Sequence, residues 1–157
     1  MLVFAGFPYK ALLTMVWTVH TREVEGRPAQ VLIDDQFAAQ APVKDLIRLS
    51  GFSLYCKQEP INSLWHPDEG AALDLIEEHL IDLCEKHSHG WCLYVLRLAT
   101  FGVREYFMYH SDEAELSQAY AGLRELHPDY RIEFATISDP DWKQYLSYVQ
   151  TASTARD

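Results

Sequence analysis

Three kinds of residue or run are scarce in this chain, and each shortage excludes a class of protein. The 157 residues include only three cysteines, Cys56, Cys84 and Cys92, too few for a closed disulfide framework. A reducing, cytoplasmic setting is therefore expected. Basic residues are also short: 13 Lys and Arg stand against 23 Asp and Glu, a formal net charge of −10. Proteins that grip nucleic acid use Lys and Arg to neutralise phosphates, so neither DNA nor RNA is an expected partner. Anionic membrane surfaces are disfavoured for the same reason. Finally, the one long apolar run, MLVFAGFPYKALLTMVW, is interrupted by Pro8 and Lys10. It has no basic leading region and no small-residue cleavage pattern, so neither a signal peptide nor a membrane span is expected.

What is present suffices for one domain. Hydrophobic residues make up 48% and aromatic residues 13%, and a chain of this size can bury roughly 70% of its unfolded surface. Residues 1–14 read either as an extension or arm ahead of Met15 or as an ordinary packed segment. Residues 15–150 are expected to form a single α+β domain, and 151–157 a flexible tail. Neither an internal repeat nor a low-complexity segment is evident.

The runs 16–24 and 29–33 are rich in β-forming residues and flank EGRP, whose Gly26 and Pro28 suit a hairpin turn. A third strand is expected over 47–56, with Gly51 marking a bulge or a close backbone approach. In 68–87, Ala72, Leu73, Ile76, Leu80, Leu83 and Cys84 recur at spacings of three and four, the signature of a helix with one buried face. Gly90 is placed to end it in the left-handed conformation. Strands are expected over 92–100 and 104–110 around a Phe101-Gly102 turn. A helix follows over 112–126, with Ser111 or Asp112 as its cap and Pro128 beyond its end. In 130–137, Tyr130, Ile132 and Phe134 alternate with Arg131 and Glu133, as in a half-exposed strand. Asp139-Pro140-Asp141-Trp142 predicts a capped final helix with Pro140 at its first position and Trp142 as a buried anchor.

From 47 to 137 the order is β-α-β-β-α-β. This is the ferredoxin-like split arrangement, here with an N-terminal hairpin and a short C-terminal helix. Both longer helices should cover one sheet face, leaving the other open or partly covered by the hairpin.

The stretches GVREYFMYHSDEAEL and HPDYRIEFATISDPDWKQYL carry a further signal. Gly102, Arg104, Glu105, Tyr106, Tyr109, Asp139, Pro140, Trp142 and Tyr145 resemble the pattern of DUF695, a bacterial family of unknown function. The similarity runs over about residues 65–148, and Trp17 ahead of a hairpin also suits the family. The resemblance implies no activity. Some members look like fusions to a domain resembling a protein inhibitor of a bacterial RNA-degrading endonuclease, which implies regulation through protein contact.

Candidate chemistry is sparse. Cys84-x-x-His87-x-His89-x-x-Cys92 has the residue types of a zinc site. However, Cys84 falls on a buried helical stripe and Cys92 on an inward strand parity, so both are expected in the core and no metal is assigned. The aromatics of VREYFMY could suggest base stacking, but one Arg beside a Glu in an acidic chain argues for cross-strand packing instead. Ser50, Ser53 and Ser63 lie in no nucleophile motif. His79 borders an apolar stripe and is expected to be a half-buried, hydrogen-bonded imidazole. No catalytic residue and no cofactor is assigned.

Two functions remain. In the first the protein is a non-catalytic module that binds another protein, with exposed aromatics such as Tyr55 and Trp65 in the contact. In the second it is an enzyme or small-molecule binder with a pocket on the open sheet face. There Arg97, Arg104, Glu105, Tyr106 and His110 would be the binding groups.

Overall fold

At Glu25 and Gly26 the backbone turns with φ of 52° and 78°, the two successive positive angles of a two-residue hairpin loop. This loop joins β1 (Thr18–Val24) to β2 (Arg27–Ile33). Pro28 lies within β2 opposite Glu23, one position before β2 begins to pair with the next strand at Ala29. Its missing N–H therefore costs the ladder nothing. In a computed structural model, residues 17–61, 64–89 and 92–156 are described, with side chains to 149. The expected extension or arm at 1–14 and the cap residue Gly90 lie outside these.

The remaining strands are β3 (Arg48–Tyr55), β4 (Cys92–Thr100), β5 (Val103–His110) and β6 (Arg131–Ser138). All pairings are antiparallel, and the six-stranded order is β1-β2-β4-β5-β3-β6. Among the described residues three α-helices complete the α+β architecture: α1 (Gly70–His87), α2 (Leu116–Leu126) and α3 (Lys143–Arg156). No helix among the described residues is long and apolar enough to cross a membrane.

Helices α1 and α2 pack together on one face. Leu73, Ile76, Leu80, Cys84, Leu116, Ala119 and Leu123 join Phe52, Leu54, Tyr94, Tyr106, Met108 and Ile132 in one cluster. Cys84 and Cys92 are both buried there, and burial pushes the Cys84 thiol pKa well up. Among the described residues no group of three or more His, Cys, Asp or Glu is arranged to hold a metal ion.

The opposite face departs from expectation. The hairpin does not cover it but widens the sheet, because apolar Ala29, Val31 and Ile33 continue the buried row when β2 pairs with β4. The segment carrying Phe37, Val43 and Leu46, together with Trp142, Tyr145 and Leu146, covers one end of that face instead. Helix α3 runs through positions 151–156, where a tail was expected.

Three helix starts also differ. A 3-10 turn at Pro67–Glu69 precedes α1. Helix α2 opens at Leu116 with Glu115 at the cap position and no side-chain cap bond, while Asp112 pairs with Arg48 at 2.6 Å. Pro140 is not in α3: Asp139 reaches over it to accept from the amides of Lys143 and Gln144 at 3.0 and 3.1 Å.

That reach depends on Trp142, whose φ of 56° is left-handed and costs of order 1–3 kcal/mol in a residue with a side chain. Its surroundings offset the cost. The buried indole N–H donates to the Leu46 carbonyl at 2.8 Å, and the ring stacks on Tyr109 with centroids 4.0 Å apart. The Tyr109 hydroxyl donates to Asp139 at 2.6 Å and accepts from the Tyr145 amide at 3.2 Å.

Candidate functional site

Side chains alternate along a strand, so neighbours in β5 serve opposite faces. Arg104, Tyr106, Met108 and His110 face α1 and α2, whereas Glu105, Phe107 and Tyr109 face away. The expected binding set is therefore split three ways.

Arg97, Arg104 and Tyr106 come together beneath α1. Arg97 lies opposite Tyr106 in the β4–β5 register. Its guanidinium donates to Glu77 at 2.9 Å and to Gln30 at 3.3 Å. Burial lowers the Arg97 pKa, but Glu77, Tyr94 and Tyr106 together outweigh that and the net shift is upward. Arg104 is only 2% exposed and reaches Asp74 at 3.5 Å, while Trp65 lies over its guanidinium at 4.1 Å. Burial pushes the Tyr106 hydroxyl pKa well up. The Nε atoms of Arg97 and Arg104 and the Tyr106 hydroxyl are buried without hydrogen-bond partners among the described residues. Most buried polar groups in folded proteins are paired, so three orphans in one cluster are unusual.

His110 shares that face but lies about 20 Å along the strand from Arg104, at some 3.3 Å per residue. Its Nε2 is 2.7 Å from the Ser50 hydroxyl, and its Nδ1 donates to the Ser111 carbonyl at 2.9 Å. Burial lowers its pKa, with the Ser111 carbonyl acting in the opposite sense. That orientation lets Ser50 donate to Nε2, as in an activated serine. But Ser50 is fully buried and also bonded to Thr136 at 2.7 Å. A substrate cannot reach it, and the trio reads as a closed polar contact.

Glu105 belongs to the opposite face, beyond the cover of Trp142 and Tyr145. Three cross-strand rows run over β5, β3 and β6 there, Glu105-Ser53-Glu133, Phe107-Gly51-Ala135 and, at the covered end, Tyr109-Leu49-Ile137, and all their members except the buried Tyr109 line a groove of about 240 Å³. Gly51 explains the floor. A Cβ added to it would lie 3.2 Å from the Phe107 ring, so glycine lets that ring lie flat on the sheet. The close approach is present, and the bulge falls in β4 between Tyr94 and Leu96 instead. Glu133 is engaged by Arg131 and Tyr55. Glu105 is half-buried, with no hydrogen-bond or ion-pair partner among the described residues. Burial raises its carboxyl pKa.

The two aromatics expected to be exposed are half-buried. Trp65 covers Arg104, and Tyr55 lies under Arg131 at 4.1 Å. Phe107, Gly51 and Ile137 were not anticipated as groove residues. The available signal was parity, since residues two apart from Glu105 and Ser53 must line the same surface. Glu77 was expected on the solvent side of α1 and instead pairs with Arg97.

Comparison with curated proteins found no match, and comparison with solved structures found none. The family comparison agrees with the signals in Arg104, Tyr109, Asp139 and Trp142: residues 16–149 match DUF695, a family of unknown function, and the chain belongs to that family.

Proposed function

We propose that this protein is a non-catalytic module that binds another protein, holding a cationic and apolar segment of it across the exposed ends of β5, β3 and β6. One observation carries this reading: the half-buried Glu105 carboxylate has no partner among the described residues and lies in a mostly apolar groove. A carboxylate removed from water without a partner is costly. A Lys or Arg from a partner segment would supply the missing charge, while Phe107, Ala135 and Ile137 would take its apolar side chains. The net charge of −10 favours such a partner at long range.

Two finer points belong with this reading. A ferredoxin-like split core is supported by the order β4-β5-β3-β6, with α1 and α2 packed on one face. A cytoplasmic setting is supported by Cys56, Cys84 and Cys92, none of which is joined in a disulfide among the described residues.

The test is an NMR titration with a peptide of alternating lysine and valine. Shifts confined to Gly51, Ser53, Phe107, Ala135 and Ile137, and lost in Glu105→Gln, are the expected result. Shifts scattered over the acidic surface, or unchanged in Glu105→Gln, would refute the groove. Saturable binding there by small cationic compounds, with no peptide binding, would favour the small-molecule alternative.

A further inference from the structure

The cluster under α1 raises a separate question: what completes Arg104. The guanidinium is 2% exposed, yet its one carboxylate contact among the described residues is a 3.5 Å approach from Asp74, a side chain 74% exposed. A charge-assisted N–H to carboxylate bond ordinarily closes to about 2.7–2.9 Å. The neighbouring arginine differs, since Arg97 meets Glu77 at 2.9 Å and both partners are largely buried. Arg104 is thus a buried cation whose counter-ion stands at arm's length in solvent. Among the described residues its Nε has no hydrogen-bond partner, and the Tyr106 hydroxyl lies beside the guanidinium. Trp65, half-buried on the connection between β3 and α1, lies over the guanidinium.

We propose that Arg104, Tyr106 and Trp65 form a binding site for the oxyanion group of a small molecule, a carboxylate or phosphate, and that Asp74 occupies the Arg104 charge as an exchangeable substitute. The chemistry fits the donors. A guanidinium presents two parallel N–H groups to two oxygens of one anion, and the neighbouring Tyr106 hydroxyl would add a third donor. Trp65 would stack over the bound group or move aside to admit it. The anion displaces Asp74 into water, where an exposed carboxylate is already well solvated.

This site lies on the opposite face of β5 from the Glu105 groove, so it stands or falls independently of the peptide test. Asp74 makes it distinguishable from a merely structural arginine. If Asp74 competes with the ligand, removing it must tighten binding. Sodium acetate and inorganic phosphate are titrated separately into the wild type, Asp74→Ala and Arg104→Gln, with chloride at matched ionic strength as the control. Binding is followed by calorimetry and tryptophan emission.

Saturable binding of one anion, tighter in Asp74→Ala by about fivefold, the equivalent of one exposed ion pair, is the expected result. It should be lost in Arg104→Gln, and the emission change should vanish in Trp65→Phe. Preference for acetate would mark a carboxylate ligand, and preference for phosphate a phosphoryl one. Should Arg104→Gln fail to fold, Asp74→Ala still decides, because that residue is exposed. No saturable response in either the wild type or Asp74→Ala, or equal affinity in the two, would overturn the proposal.

Discussion

Strand β5 carries a buried polar cluster on each face, and the two are finished to different degrees. On one face Tyr109 donates to Asp139, Asp139 accepts from two amides of α3, and the Trp142 indole N–H meets the Leu46 carbonyl. On the other, Arg97, Arg104 and Tyr106 leave three buried polar atoms without hydrogen-bond partners among the described residues. A completed network specifies one structure, because every alternative loses bonds in a low dielectric. An incomplete one stores unspent interaction and is where a ligand gains most. Glu105 follows the same logic on the exposed end of the first face. The difference separates residues that hold the fold from residues that are free to bind.

The sharpest way to break this contrast is Trp142→Ala. It removes a fully buried ring and its bond to Leu46, and should destabilise the domain by about 3–5 kcal/mol in urea denaturation, as large core truncations do. An unchanged midpoint would mean that the network does not hold α3.

Next is Glu69, a buried carboxylate that accepts from the amides of Lys57 and Gln58 and from the Tyr130 hydroxyl, each within 2.9 Å. Burial raises its pKa, but the two amides and Tyr130 together outweigh that and hold it below the ordinary glutamate value. A folded pKa depressed below the unfolded one gives stability that is present above the ordinary value and lost as pH falls through the folded value. Glu69→Ala should therefore cost about 1–3 kcal/mol at neutral pH, for the donors left unpaired. Thermal melts should show the difference from wild type shrinking in acid.

Tyr109→Phe keeps the stacked ring and deletes only the hydroxyl between Asp139 and the Tyr145 amide. About 1 kcal/mol is expected in the same assay, the net worth of a typical hydrogen bond.

The smallest effect is expected where two imidazoles join α1 to α2. His79 Nδ1 and His127 Nε2 are 2.8 Å apart. Burial, and then the neighbouring His79, lower the His127 pKa, so the unfolded chain takes up its proton first and stability falls as pH drops below the ordinary histidine value. His127→Gln should flatten the slope of melting temperature against pH in that range. An unaltered slope would leave His110, also lowered by burial, as its source.

Much of this was legible beforehand. Every strand predicted within the described residues is present, because period-two and period-four patterns report burial directly. Tyr130, Ile132 and Phe134 are packed where alternation placed them, and His79 is the half-buried, bonded imidazole that its position implied. The site was less legible for a specific reason. Arg104 and Glu105 were grouped by adjacency, although adjacency in a strand separates faces. Arg97 joined Arg104 through the β4–β5 register, which a tight Phe101-Gly102 turn suggests but which the bulge at Val95 shifts beyond it. The covering of the second face by the segment around Phe37, Val43 and Leu46 depends on contacts nearly a hundred residues apart, such as Trp142 to Leu46. No local pattern carries those. The start of α3 was misplaced because Trp142 adopts an angle that its side chain disfavours, and only the assembled surroundings make it favourable.

The division between completed and uncompleted groups is tested most directly by a pair of isosteric changes on one face, Asp139→Asn and Glu105→Gln. Each is measured for both melting temperature and affinity for the lysine–valine peptide. The Asp139 change should lower the melting temperature and leave the folded protein's affinity unaltered. The Glu105 change should leave the melting temperature unchanged or raise it, since a half-buried unpaired charge is removed, and should weaken binding by about tenfold, the worth of one charged hydrogen bond. If Glu105→Gln instead destabilises the protein as Asp139→Asn does, while peptide affinity stays the same, the groove is part of the scaffold and the division is wrong.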